Sequence, residues 1–267
     1  MDSAKRLDVS RLTPAGVSPG DRIVAAEVPI AVSFLGIGYA VMMATPADLE
    51  DLAVGFARSE RLIDGAEQVI GIEVRESEEG GILLGIELAD DRHQRVFERV
   101  RHRVGESSCG MCGIENLEQA LRPLPRVEAP VPVATDRLFA ALEILRNHQP
   151  LNGETGAVHA AAFFDGAGTV VAAREDVGRH NAFDKLVGHG MRAGVDFGNG
   201  FALLTSRCSY ELVEKAALAG IRLLVTVSAP TTLAVDRARE AGLTLIALAR
   251  SDAMLVMTDP HALYGGT

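Results

Sequence analysis

Cysteine is scarce: three in 267 residues is too few to frame a disulfide-stapled fold. No apolar run approaches the roughly 20 residues of a membrane-spanning helix, and no basic segment leads into an apolar run at the start of the chain. Positive charge is short as well. Lys and Arg number 26 against 36 Asp and Glu, a formal net charge of −10. This argues against general nucleic-acid binding, which needs a basic footprint, and leaves room for a local anion pocket. Internal repeats and long low-complexity segments are absent. The expected setting is a reducing cytoplasm, away from membrane and nucleic acid, with small molecules or proteins as partners.

What is present is enough apolar material, 48% of residues, to bury a large core without staples. Residues 1–20, with scattered Lys5, Arg6, Asp8 and Arg11, suggest a loose polar arm. From Ile30 to Ala44 the pattern predicts two strands around Gly36-Ile37-Gly38. A helix follows, with Thr45 as its cap, Pro46 at its first position and an apolar stripe of Leu49, Leu52, Ala53 and Phe56. A second strand pair, near Ile70 to Arg75 and Ile82 to Leu88, straddles Gly80-Gly81. Val96 to Val104 leads into a loop holding Cys109 and Cys112, and Ile114, Leu117 and Leu121 fit a short amphipathic helix. Residues 21–122 therefore form an N-terminal α+β unit. Pro123, Pro125, Pro130 and Pro132 mark a linker over 123–134.

Residues 135–267 have a different rhythm. Thr135 is placed to cap a helix whose buried face is Leu138, Ala141, Leu142 and Leu145. A hairpin, His159 to Asp165 and Thr169 to Arg174, precedes the polar string Arg174 to Asn181. Strands then alternate with helices: Phe201 to Thr205, Ser209 to Ala219, Leu223 to Val227, Thr231 to Ala241 and Leu243 to Ala249. Gly220 and Gly242 fall where helix C-caps belong. This alternation predicts parallel strands with covering helices, whose strand-end loops converge on one edge. Those loops carry Thr205-Ser206-Arg207, Ser228-Ala229-Pro230-Thr231 and Arg250-Ser251-Asp252. Hydroxyls, helix N-termini and two arginines there suit phosphate recognition.

The pair Cys109-Gly110-Met111-Cys112 admits several chemistries: half a zinc site, a redox dithiol, a sulfur-transfer nucleophile or packed thiols. A four-cysteine zinc site is excluded within one chain, though a histidine could complete a mixed one. Zinc deaminases need His-x-Glu before Pro-Cys-x-x-Cys. Here His159-Ala160-Ala161 follows the cysteines and lacks the glutamate. Cys208, ending an apolar strand, suits a buried structural thiol. Asn181, Asp184 and Lys185 are expected as helix-cap and surface residues.

Several segments taken together resemble the formate dehydrogenase accessory sulfurtransferase family. They are Glu-Val-Pro-Ile, the run from Val41 to Phe56, Ser-Ser-Cys-Gly-Met-Cys-Gly, Thr155 to Ala161, Arg174 to Lys185, and Ser228-Ala229-Pro230-Thr231. The resemblance spans residue 20 almost to the C-terminus. It implies an α/β protein with a C-terminal three-layer domain of the cytidine deaminase type, built on a mixed sheet, beside the smaller N-terminal domain. It also implies a cytoplasmic homodimer that takes sulfur from a cysteine desulfurase as a persulfide. The sulfur goes to the molybdenum bis(molybdopterin guanine dinucleotide) cofactor of formate dehydrogenase, and the carrier needs no metal of its own.

By motif, Cys109 is the persulfide-forming residue and Cys112 its partner, which either releases the sulfur or tunes the loop. Leu248, Ala249, Arg250, Ser251, Asp252 and Ala253 match a cofactor-binding stretch. His159, Glu175, Asp176, Arg179 and His180 join Ser206 and Arg207 as the remaining candidate cofactor ligands, since arginine grips phosphate and a carboxylate accepts from guanine. Two departures stand out: Ala247-Leu248-Ala249-Arg250 replaces a Gly-Phe-x-Arg pattern, and Thr205-Ser206-Arg207 replaces Ser-Gly-Arg. A cofactor-binding chaperone without covalent sulfur chemistry, or a structural zinc protein, are the alternatives.

Overall fold

Two sheets sit on either side of a pair of glycine-contacted helices. The computed structural model describes residues 1–104 and 122–265. Cys109 and Cys112, and the short helix expected around Ile114, Leu117 and Leu121, lie outside the described residues.

The first sheet has four strands in the order β4-β3-β6-β5: β3 (Val28–Phe34), β4 (Ile37–Ala44), β5 (Val69–Glu76) and β6 (Ile82–Leu88). Both hairpins expected from the alternation are present. They join through a parallel β3–β6 pairing that aligns Ile30 with Ile82 and Val32 with Leu84. Those inward residues, with Phe34 and Ile86, form a core closed by Leu52, Ala53 and Val54 of α1 (Leu49–Ser59) and by Val96 of α2 (His93–Val104).

The second sheet has six strands in the order β12-β11-β10-β9-β7-β8. Its parallel centre is β9 (Gly200–Leu204), β10 (Leu223–Thr226) and β11 (Thr244–Ala247). The antiparallel hairpin of β7 (His159–Asp165) and β8 (Val170–Asp176) continues one side, and antiparallel β12 (Leu255–Thr258) the other. Central strands covered on both faces carry unbroken apolar runs, and every residue of β9, β10 and β11 is buried. Helix α3 (Thr135–Arg146) covers one face through Leu138, Ala141 and Leu145. Helices α5 (Arg179–Ala193), α6 (Tyr210–Ala219) and α7 (Thr232–Ala241) cover the other. Gly220 and Gly242 end α6 and α7 at φ values of 80° and 72°, the left-handed geometry of a glycine C-cap. Between α3 and β7 lies one short helix, α4 (Pro150–Thr155), which the sequence pattern did not predict.

Helices α1 and α5 join the halves. A Cβ on Gly188 would lie 1.8 Å from the carbonyl oxygen of Asp51, and one on Gly55 would lie 1.8 Å from that of Asp184. Bare backbone on both helices permits this approach, and polar side chains close the seam. Asp51 is bonded by Arg174 and Arg192, and Asp184 by Lys215 and Ser59. Helix α1 is consequently buried on more than its Leu49-Leu52-Phe56 stripe.

Four expectations are corrected. Residues 1–20 do not form a loose arm: β1 (Ala4–Thr13) and β2 (Gly16–Ala25) pair as an antiparallel ribbon from Ala4–Ala25 to Thr13–Gly16. Most of its side chains face water on both sides, so no apolar alternation marks it in the sequence. Thr45 does not cap α1, which starts after Asp48 in the left-handed region without a side-chain cap. The Thr45 hydroxyl instead accepts from the Val177 amide at 3.2 Å, and the Thr45 amide donates to Asp176 at 3.1 Å. Thr135 is the first residue of α3, whose N-cap is Ala134. Asp184 and Lys185 are not surface residues, at 2% and 0% exposure.

Candidate functional site

Strand direction determines which side chains meet at the carboxyl edge of the six-stranded sheet. Strand β7 runs against β9, so its first residue, His159, lies beside the loop leaving β9; in the β7–β8 register it faces Asp176. Thr205 stitches that loop to β7, its hydroxyl accepting from the Ala160 amide at 2.9 Å. Ser206 is buried: its hydroxyl donates to the Arg207 carbonyl at 3.0 Å, and its carbonyl accepts from Thr226 Oγ1 at 2.6 Å. It therefore holds the loop and turns Arg207 outward, where that residue is exposed.

The loops after β10 and β11 are tied together. Leu248 donates to the Ser228 carbonyl and Ala249 to the Thr226 carbonyl, with Leu248 held at φ 51°. The Arg250 side chain lies against the Val227 carbonyl and also donates to the Ala249 carbonyl. A cavity of about 440 Å³ opens at this edge, lined by His159, Thr205, Ala249, Arg250 and Ser251 and closed by Arg146 and Gln149 of the α3–α4 segment. Arg146, Gln149 and Asn152 carry no motif: Arg146 ends an ordinary amphipathic helix, and the other two follow it. A Pro at the start of α4 was the one available signal of its presence.

Burial lowers the proton affinity of His159, and the charges of Arg179 and Arg207 lower it further, so neutral imidazole is favoured there. Arg179 begins α5 directly after Gly178, which offers no side-chain cap, and its Nε is buried without a hydrogen-bond partner. A helix N-terminus and two arginines beside a neutral histidine make this edge receptive to phosphate or another anion.

The other candidates are distributed differently. Both oxygens of Glu175 accept from the Leu151 and Asn152 amides at 2.9 and 2.8 Å, so this carboxylate holds the start of α4. Burial still raises its proton affinity overall. Asp176 is wholly buried and binds Lys185 at 2.6 Å, the Gly178 amide at 2.7 Å and Asn181 at 3.1 Å. His180 pairs with Glu211 at 2.9 Å and lines a separate cavity of about 310 Å³ on the α1–α6 side. Leu248, Asp252 and Ala253 are exposed beside the edge without lining its cavity. Cys208 is buried, and burial pushes its thiol up to about 12. Cys109 and Cys112 fall outside the described residues. Among the described residues, no group of three or more His, Cys, Asp or Glu side chains is arranged to hold a metal ion, and no helix is long and apolar enough to cross a membrane.

The FdhD/NarQ family model matches residues 25–264. The sulfur carrier protein FdhD of Xanthomonas euvesicatoria pv. vesicatoria (strain 85-10) is 47% identical over 241 residues, covering 90% of this chain and 85% of its own. The sulfur carrier protein FdhD of Cupriavidus necator is 45% identical over 240 residues, covering 90% and 83%. The crystal structure of a formate dehydrogenase accessory protein from Desulfotalea psychrophila superposes with a TM-score of 0.76 over 97% of this chain and 98% of that one. At 23% identity, that likeness establishes a shared fold.

Proposed function

Since the chain belongs to the FdhD/NarQ family, we propose that it is a sulfur carrier required for the maturation of a formate dehydrogenase. The observation that carries this reading is the 47% identity, over nine-tenths of the chain, with a protein named sulfur carrier protein FdhD. The donor is a cysteine desulfurase holding a persulfide. The Cys109 thiolate attacks the terminal sulfur of that persulfide, so one S–S bond forms and one breaks. Cys109 becomes the persulfide and the donor cysteine leaves as a thiol. The protein is in this sense a sulfurtransferase, working in the cytoplasm as a homodimer, with no metal of its own.

The substrate receiving the sulfur is the molybdenum bis(molybdopterin guanine dinucleotide) of the formate dehydrogenase. If Cys112 attacks Cys109, a Cys109–Cys112 disulfide forms and hydrosulfide departs, with the two electrons supplied by the cysteine pair. The guanine nucleotide phosphates suit the carboxyl edge of the six-stranded sheet. Arg179, Arg207, Arg250 and the amides opening α5 offer donors to anionic oxygen, and neutral His159 can donate without adding charge. The strand order β8-β7-β9-β10-β11, covered by helices on both faces, supports a cytidine deaminase-like assignment for this domain.

The test is nonreducing mass spectrometry of the Cys109 peptide after incubation with a desulfurase and cysteine. A gain of one sulfur atom is expected, absent in Cys109→Ala, and the same variant should leave formate dehydrogenase inactive. An unmodified peptide, or full activity with Cys109→Ala, would replace this reading with a cofactor-binding chaperone.

A further inference from the structure

Where α1 ends, three guanidinium donors are buried with no acceptor: Nε and Nη2 of Arg61, and Nε of Arg122. A buried charged donor left unpaired loses its hydration without compensation and calls for an explanation. Arg61 spends only Nη1, which donates to the Pro123 carbonyl at 3.1 Å. The two residues border a cavity of about 260 Å³ whose lining includes Glu60, Arg95, Glu98 and Arg99. Of the four guanidiniums here, Arg95 is paired with Asp64 at 2.9 Å and Arg99 with Glu60 at 3.2 Å, which leaves Arg61 and Arg122 without a carboxylate in a salt bridge among the described residues. Glu60 accepts from Tyr39 at 2.6 Å and from Arg99 at 3.2 Å, and Glu98 accepts from Gln94 at 2.7 Å. Glu214, whose charge also reaches both arginines, is held by Arg237 at 2.6 Å.

The backbone adds an independent sign. Arg61 has φ 62° and occupies the position after the Glu60 C-cap. Its amide donates to the Arg58 carbonyl, and the Leu62 amide to the Ala57 carbonyl. That double pattern is a Schellman motif, in which this position ordinarily belongs to glycine because a side chain there is strained. An arginine kept against its backbone preference, with two of its donors unmet, marks a side chain with a task.

We infer that Arg61 and Arg122 form a site for a small oxyanion of the phosphate or sulfate class. Two adjacent guanidiniums present the parallel N–H donors that tetrahedral oxyanions accept. Burial is the main cause that lowers the proton affinity of both arginines; neighbouring guanidiniums add to it, and Glu214 opposes it. The bound anion links the end of α1 to the start of the proline-rich segment. Its cavity shares no lining residue with the sheet-edge cavity, and the inference does not depend on sulfur transfer.

The experiment is thermal unfolding of the full chain, titrated with inorganic phosphate against sodium chloride of equal ionic strength. The parent protein for the titration is Arg207→Gln, which weakens anion binding at the sheet edge. A saturable rise in Tm of a few degrees is expected with phosphate and not with chloride. Adding Arg61→Gly, which suits the left-handed backbone, should keep the fold and abolish the rise. Arg122→Met should abolish it too, while melting no lower than the parent in phosphate-free buffer. No phosphate-specific rise in the parent, or an undiminished rise with Arg61→Gly, would overturn the site.

Discussion

Asp176 and Lys185 form an ion pair at 2.6 Å in which neither side chain has any solvent exposure. The pair joins β8 to α5, and through the Thr45 carbonyl and amide, which Lys185 and Asp176 bind, it also holds the chain entering α1. Both sheets are thus fastened at one buried point.

Lys185→Met should remove the charge while filling much the same volume, leaving Asp176 buried without its partner. Breaking a buried pair from one side costs about 3–5 kcal/mol. Chemical denaturation should show that loss, and a double variant, Asp176→Leu with Lys185→Met, should recover part of it. A single-variant cost within measurement error would show that the pair does not hold the junction.

Gly188→Ala tests the helix crossing. Its new Cβ would fall 1.8 Å from the Asp51 carbonyl oxygen, a backbone atom that cannot swing away. Overpacking that must move a helix exceeds the usual range of about 1–3 kcal/mol. The variant should melt well below the parent, whereas alanine at Gly153, which has no atom within 4 Å of its Cβ position, should change Tm little.

Cys208 is expected to resist alkylation. With its thiol pushed up to about 12 by burial, almost no thiolate forms near pH 8. Mass spectrometry after iodoacetamide treatment should find Cys208 unlabelled in native protein and labelled once the chain is denatured. Rapid native labelling would contradict the buried placement.

His159 should impose an acid-side penalty. Its folded pKa lies below the ordinary 6.5, so between those values the unfolded chain binds more protons. Stability then rises with pH across that window, and the penalty is fully present below the folded value. His159→Gln should be less sensitive to acid than the parent from pH 6.5 downward. Glu175 acts with opposite sign: its folded pKa is raised above 4.5, so its term weakens stability as pH rises through that higher value. Unfolding curves for the single variants at matched pH separate the two.

Much of the architecture was legible because it rests on local periodicity. Alternation marked both hairpins of the four-stranded sheet, and apolar runs separated by helices marked β9, β10 and β11. Glycines at 220 and 242 stopped helices for a reason visible in one residue. The β1–β2 ribbon was not legible, since water lies on most of its surface and its side chains carry no alternation. Thr45-Pro46-Ala47-Asp48 reads locally as a cap, yet Thr45 makes its bonds to Asp176 of β8, the Val177 amide and Lys185 within α5.

The candidate site divides in the same way. Arg207 and Arg250 could be grouped from the sequence because βα alternation brings strand-end loops to one edge, whereas His159 was named by motif and reaches that edge because β7 runs antiparallel to β9. Glu175 and Asp176 stand side by side in the Arg174 to Asn181 string, but one holds α4 and the other is buried against Lys185. The sequence by itself determined the residue types, their order and the local rhythm of strands and helices, all of which depend on near neighbours. Only the tertiary structure decided which charges are buried, which glycines touch backbone and which arginines lack a counter-charge, because those depend on residues far apart in the chain meeting where water is excluded.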